Sequence, residues 1–301
     1  MAKARAIVKR RKAVRNIRKI TKTMQMIATA KFQKALKRAV GAKPYTRKVR
    51  ELVGELAGNI GDVQHPLLPK PGERQDTNRI AVLVITSDRG LAGAYNGSVL
   101  RMAAPFLRKQ EADGKKIDLY VSGKKGAGYF NFQRRPILKR FEEFSDQPRF
   151  ADVERVADNF LEQFVTGKLD AVYVVYTNFL SASQQKPDVL TLLPLSSITG
   201  TGKPDQAGPG KLKAETIYDF SPEPKALLDE LLPLTVKAAL FQCFLDATTS
   251  ENVARMIAMK SATDNADKMV KSLTMQYNRA RQSQITTELS EIMGGVEAMK
   301  N

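Results

Sequence analysis

Few residues of this chain could do covalent or metal chemistry. His65 is the only histidine and Cys243 the only cysteine. No Ser/His/Asp triad, Cys/His pair, His/Cys metal cage or CxxC redox motif can therefore be assembled. His65 stands in a proline-rich stretch with no acid or hydroxyl set around it, which predicts a solvated loop. The paired carboxylates Glu142-Glu143 and Glu288/Glu291 sit among ordinary surface charges. Two segments hint at phosphate instead. Ser87–Gly97 (SDRGLAGAYNG) follows an apolar run and precedes a helix, where α/β folds bind nucleotides. Its glycines at 90, 93 and 97 lack the GxGxxG spacing, so a tight strand-to-helix turn held by Asp88 and Arg89 is the plainer reading. Gly200-Thr201-Gly202-Lys203 has Pro204 where a P-loop needs Ser or Thr, and no strand feeds a helix there. No catalytic, cofactor-binding or metal-ligating residue is expected.

The elements that would position a site carry more information. Leu234–Met293 is sixty residues without glycine or proline, a helix of roughly 90 Å at 1.5 Å per residue. Met1–Val40 also lacks both breakers. The chain has 301 residues and a net charge of +18. Residues 1–50 hold eighteen Lys and Arg and no acid, while the other 251 residues carry 31 of each sign. The charge is an arm on a neutral protein. No run approaches the roughly 20 apolar residues of a membrane span, and the single cysteine suits a reducing compartment.

The arm reads as an amphipathic helix. Ile17, Ile20, Met24 and Ile27 step by 3, 4 and 3, a seam that would pair with another helix. Arg11, Lys12, Arg15, Arg18, Lys19 and Lys22 would form the solvated face. Gly41 and Pro44 bend the helix, which resumes through about residue 57. A Gly/Pro-rich linker follows over 58–78. Residues 79–215 change period. Arg79–Thr86 and Ala171–Thr177 are continuous β-branched runs, as in buried parallel strands. Lys116–Val121 and Val189–Leu195 are further strands, with helices at Gly97–Lys109, Lys124–Phe130 and Asp152–Phe164. This pattern predicts an open α/β sheet, Rossmann-like in its alternation. A Gly/Pro-rich loop covers 199–214. Ser221-Pro222 would cap a C-terminal helical region spanning 216–301, kinked at Pro233. There Thr263, Ala266, Val270, Leu273, Tyr277, Ala280 and Gln284 form a weak heptad seam. The fold class is therefore α/β plus a long antiparallel coiled coil of the paired terminal helices, with an open, mostly parallel sheet between them.

Three blocks resemble the γ subunit of the F-type ATP synthase, the central-stalk rotor. They are IRKITKTMQMIA (Ile17–Ala28), SDRGLAGAYNG (Ser87–Gly97) and, near the end, ENVARMIAMKSATDNA followed by YNRARQSQITTELSEI (Glu251–Ile292). Order and spacing agree over essentially the whole length. The resemblance implies a non-catalytic subunit, one copy per complex, whose coiled coil stands within the α and β subunits. The α/β domain would sit at the base against ε and the c-ring, with δ in the same complex. Proton flow would turn the shaft and drive the β sites through their states. Matching positions imply that Met24, Arg255, Gln282, Thr286 and Glu288 contact the α and β subunits, and that the apolar residues from Met293 to Met299 sit in a bearing sleeve. No cofactor and no nucleic acid are implied, and the expected location is the cytoplasmic face of a bacterial cell membrane, peripherally bound. Ala92, Ala94 and Val296 depart from the family's usual residues, and the chloroplast form's regulatory cysteine pair is missing. Two alternatives remain open on the residues alone. One is a nucleic-acid-binding coiled-coil protein with an α/β head, bound through the basic arm. The other is a small-molecule-binding α/β domain with helical dimerisation arms.

Overall fold

The computed structural model describes residues 2–59, 65–68, 77–142, 144, 147–195 and 224–299. In chain order these form α1 (Ala2–Asn59), β1 (Arg79–Ile85), α2 (Tyr95–Ala112), β2 (Lys116–Ser122), α3 (Lys124–Phe132) and β3 (Lys139–Phe141). Then follow α4 (Phe150–Val165), β4 (Ala171–Phe179), β5 (Gln185–Leu193) and α5 (Pro224–Ala298). The chain divides into two compact units, Met1–Lys31 with Arg255–Asn301, and Phe32–Ala254. The second half of α1 and the start of α5 thus belong with the sheet.

The sheet order is β3-β2-β1-β4-β5. β3, β2, β1 and β4 run parallel, and β5 pairs antiparallel with β4 at the edge. Both faces are covered, which explains why β1 reads as an unbroken apolar run rather than an alternating one. Val99, Ala103 and Leu107 of α2 and Phe130 of α3 pack with Ile80, Val82 and Val84 on one face. On the other, Leu83, Ile85, Val172 and Val174 join α4, Val53 of α1 and the α5 residues Leu228, Leu232, Val236, Leu240 and Phe244. That stretch of α5 is apolar enough to mimic a membrane span, but it is mostly buried within the chain. An ionic clamp adds to it: Lys237 Nζ donates to Glu154 Oε1 and lies equally close to Asp158 Oδ1, both at 2.9 Å, tying α5 to α4.

α1 runs on through Pro44. The ring removes the bond to the Val40 carbonyl, but Val40 and Pro44 are both exposed, so water can serve that oxygen.

Other expectations are corrected. His65 is not a solvated loop residue: its side chain is 12% exposed, Nε2 lies 3.4 Å from Asp229 Oδ1, and Nδ1 accepts from the Leu67 N–H at 3.0 Å. Burial pushes its pKa down, against the opposing pull of Asp229. Asp229 is 164 residues away in sequence, so no local pattern announced it. β3 was not expected either; Lys139 and Arg140 are exposed and only Phe141 turns inward, leaving too little pattern to read. The Ser221-Pro222 cap, the 199–214 loop and the Gly200–Lys203 segment lie outside the described residues.

Candidate functional site

The first unit is built from the pairing of the two chain ends. Val14 packs with Ala266 and Leu273, flanked by Ile7 and Val270. The Thr263 and Thr21 hydroxyls are 2.9 Å apart. Arg18 Nε reaches Asp267 Oδ1 at 2.5 Å. The Arg11 guanidinium lies 5.0 Å from the centroid of the Tyr277 ring. Numbers rise along α1 as they fall along α5, so the helices are antiparallel. On α5 the expected seam holds, with every member from Thr263 to Gln284 buried or half-buried.

On α1 it does not. Ile17, Ile20 and Ile27 are 53%, 60% and 51% exposed. Burial instead follows Ile7, Arg11, Val14, Thr21, Gln25 and Ala28, a heptad set with polar members. The isoleucine stripe lies roughly a third of a turn away around the helix. Arg11 and Arg18, assigned from the sequence to the solvated face, turn toward α5. Small and polar residues on α5 accept that face: a threonine meets a threonine, a carboxylate meets an arginine, and a ring meets a cation. What remains outward is an apolar stripe on an otherwise basic helix, with Lys12, Arg15, Lys19 and Lys22 exposed beside it.

The sequence-derived contact residues occupy different settings. Met24 is half-buried next to the isoleucine stripe, and Arg255 is buried at 9% exposure. Gln282, Thr286 and Glu288 are exposed. Thr286 Oγ1 donates to the Gln282 carbonyl one turn back, so these two share a face; Glu288 Oε1 accepts from Gln284 Nε2 at 2.8 Å on another. Beyond them Ile285, Leu289, Ile292, Val296 and Met299 form a second exposed apolar stripe, stepping by 4, 3, 4 and 3. Composition showed these residues as apolar, but only the structure shows that they face outward.

The Ser87–Gly97 turn is the structural device the spacing favoured. Ser87 N donates to Asn96 Oδ1 at 3.0 Å, and Ser87 Oγ donates to the Arg89 carbonyl at 2.7 Å. Asp88 Oδ1 accepts from the Lys124 N–H at 3.0 Å, capping α3. The packing is close: a Cβ on Gly123, at φ +93°, would fall 2.2 Å from the Thr86 carbonyl oxygen. The adjoining cleft is walled by Phe141, Phe144 and Phe244 and carries Asp88 and Glu251. A phosphate there would meet the carboxylates of Asp88 and Glu251, whose charge opposes it.

A family model described as ATP synthase matches residues 3–299. The ATP synthase gamma chain of Rhodopirellula baltica is 47% identical over the full length of both chains. That of Leptospira biflexa is 38% identical over 99% of this chain and 100% of its own. Among solved structures, a chain of the Euglena gracilis mitochondrial ATP synthase in rotational state 3, from a structure that includes the c-ring, matches with a TM-score of 0.65. It covers 99% of this chain and 95% of that one at 20% identity, and so shows the fold. The rotor of the same enzyme in rotational state 1 matches at 0.61, over 94% of this chain and 99% of that one.

Proposed function

Since the chain belongs to the ATP synthase gamma-chain family, we propose that it works as the central-stalk rotor by the two exposed apolar stripes on its paired helices. It is a non-catalytic subunit, and its task is to transmit rotation. The observation that carries the reading is the exposure of Ile17, Ile20 and Ile27 on the very helix that pairs the chain ends. A helix pair that existed only to hold itself together would turn its best apolar residues inward. This one spends two threonines and two arginines on its own seam and leaves isoleucines for something outside it.

In this reading the surrounding α and β subunits take the isoleucine stripe and the neighbouring Met24, with the flanking Lys and Arg side chains facing acidic surfaces. Gln282, Thr286 and Glu288 meet the same subunits near the end of α5, and the stripe from Ile285 to Met299 turns in an apolar sleeve. Arg255 joins them through whatever part of its guanidinium is accessible. The α/β unit faces ε and the c-ring at the cytoplasmic side of a bacterial membrane, one copy per complex, with δ elsewhere in the assembly. Proton flow turns the ring and this chain together, and the uneven surface of the helix pair forces each β site through its states in sequence. Engagement of Arg11 and Arg18 within the pair weakens the nucleic-acid alternative, which needs those cations outward.

The test is purification of the native membrane complex. The chain should co-purify with subunits bearing nucleotide sites, and the isolated chain should hydrolyse no ATP. Turnover of nucleotide by the homogeneous chain would overturn the reading.

A further inference from the structure

Thr248 departs from the habit of its helix. The other threonines of α5, at 235, 249, 263, 274, 286 and 287, each donate the hydroxyl to the carbonyl one turn back. That back-bond is the ordinary outlet for a hydroxyl inside a helix. Thr248 makes none: the residue is 7% exposed, its carbonyl accepts from Asn252, and no described residue takes its hydroxyl. It lines the cleft at the C-terminal ends of β1 and β2 instead.

Ser122, the last residue of β2, repeats the pattern in the same lining. It is 4% exposed, its carbonyl accepts from Thr86 Oγ1, and its hydroxyl has no partner among the described residues. Two hydroxyls on buried residues, both unpaired in one cleft, cost stability unless something there takes them.

The rest of the lining sets the charge of that something. Asp88 Oδ1 accepts from the Lys124 N–H, but the carboxylate has no cationic partner among the described residues. The Lys124 ammonium lies 3.7 Å from Glu142 Oε2 instead. Glu251, 7% exposed and itself partnered, adds a second carboxylate to the wall. Phe141, Phe144 and Phe244 pack in succession, with ring centroids 6.0 and 4.5 Å apart. Such a wall of low polarity strengthens the field of the carboxylates. The free space is about that of one water molecule. Water would satisfy the hydroxyls and leave the charge, whereas a cation of the same size answers both. Among the described residues no three acidic, His or Cys side chains gather to hold a metal, so a multivalent ion lacks the ligands it demands. A weakly hydrated monovalent ion asks for less. Hydroxyl and carboxylate oxygens suit it, and it tolerates aromatic surface.

We propose that Asp88, Ser122 and Thr248 bind a potassium-sized monovalent cation. The ion ties the turn after β1, the end of β2 and α5 together. The site lies wholly within the sheet unit and is independent of the rotor reading.

The experiment is urea unfolding of the full chain in potassium, sodium and choline chloride at one ionic strength. Potassium should favour the folded chain most, by about tenfold in the folding equilibrium at ten times its dissociation constant. Equal midpoints in potassium and sodium would overturn the site. Thr248→Val and Ser122→Ala each remove one ligand oxygen without breaking a hydrogen bond, so both should fold and lose most of the potassium gain. Thr274→Val, on α5 but outside the cleft, should keep it. Full retention of the gain in both cleft variants, or equal loss in Thr274→Val, would also overturn the proposal. Thallium(I) NMR on the unaltered chain needs no variant to fold. Thallium stands in for potassium, and a bound resonance that potassium displaces is expected; no bound resonance would exclude the site.

Discussion

The hydroxyls of Thr21 and Thr263 meet across the two terminal helices at 2.9 Å, and each is also within reach of a carbonyl on its own helix, Arg18 and Met259 respectively. Two hydroxyl protons serve three contacts, so one crosses the interface while the other is donated backward. The result is a short polar chain at a position where a static coiled coil would carry leucine. Thr263→Val keeps the shape and removes the proton. It should destabilise the helix pair by about 1 kcal/mol, and Thr21→Val by a similar amount. The double variant should lose less than the sum of the two, read as a double-mutant cycle in urea unfolding of the full chain. Strict additivity would show that the hydroxyls do not interact.

The seam itself can be located by truncation. Leu273 is 5% exposed and Ile20 is 60% exposed. Leu273→Ala should destabilise the pair by about 2–5 kcal/mol, whereas Ile20→Ala should stay within about 0.5 kcal/mol. Equal losses would mean that the isoleucine stripe is the true interface.

The exposed residues proposed to meet the α and β subunits make the opposite prediction. Gln282→Ala combined with Thr286→Ala should leave unfolding of the isolated chain nearly unchanged, because both side chains are exposed. In the assembled complex the pair should lower ATP-driven proton pumping. Unaltered pumping with normal assembly would remove these two residues from the contact.

Asp246 is buried, at 3% exposure, and burial raises its pKa to about 6 despite the opposing pull of Lys43, 3.9 Å away. The folded chain therefore binds this proton more readily than the unfolded chain. Stability should rise as pH falls from about 7 towards about 4, through the folded pKa and down to the unfolded one. Above that window the buried charge is a net penalty. Asp246→Asn should be the more stable protein at neutral pH, and its own pH dependence over that range should flatten. The comparison is urea midpoints at pH 7.5, 6 and 4.5; parallel pH profiles would exclude the effect.

Cys243 is buried together with Phe244 and Ala247 in the core of the sheet unit. A thiol reagent should label the native chain only on unfolding, and mild oxidants should leave coupled activity unchanged. Rapid labelling of folded protein would contradict the burial.

Legibility in the sequence followed the physics of each element. β1 and β4 were readable because a strand covered on both faces is apolar throughout. The α5 seam was readable because its small and polar members still keep heptad steps. The face of α1 was misread for a related reason. Hydrophobic spacing locates where a helix is apolar, and that coincides with the internal partner only when there is no external one. Ile17, Ile20 and Ile27 kept a regular spacing for a surface the single chain does not bury. Thr21, Gln25 and Ala28 carried the true seam without an apolar signal. His65 was misread for a different reason, since Asp229 comes beside it only once the chain is folded.

The register also sets a mechanical limit. Thr21 opposite Thr263 and Arg11 opposite Tyr277 place the start of α1 opposite about residue 286. From there to Ala298, α5 runs roughly another 18 Å as one helix. A lone helix resists twist less than two packed ones, since no neighbour shares the shear. Torque entering along the pair should be delivered mainly beside α1. The overhang should then act as a compliant pivot, lagging the driven section by a small angle, with the exposed apolar stripe from Ile285 to Met299 as its bearing face.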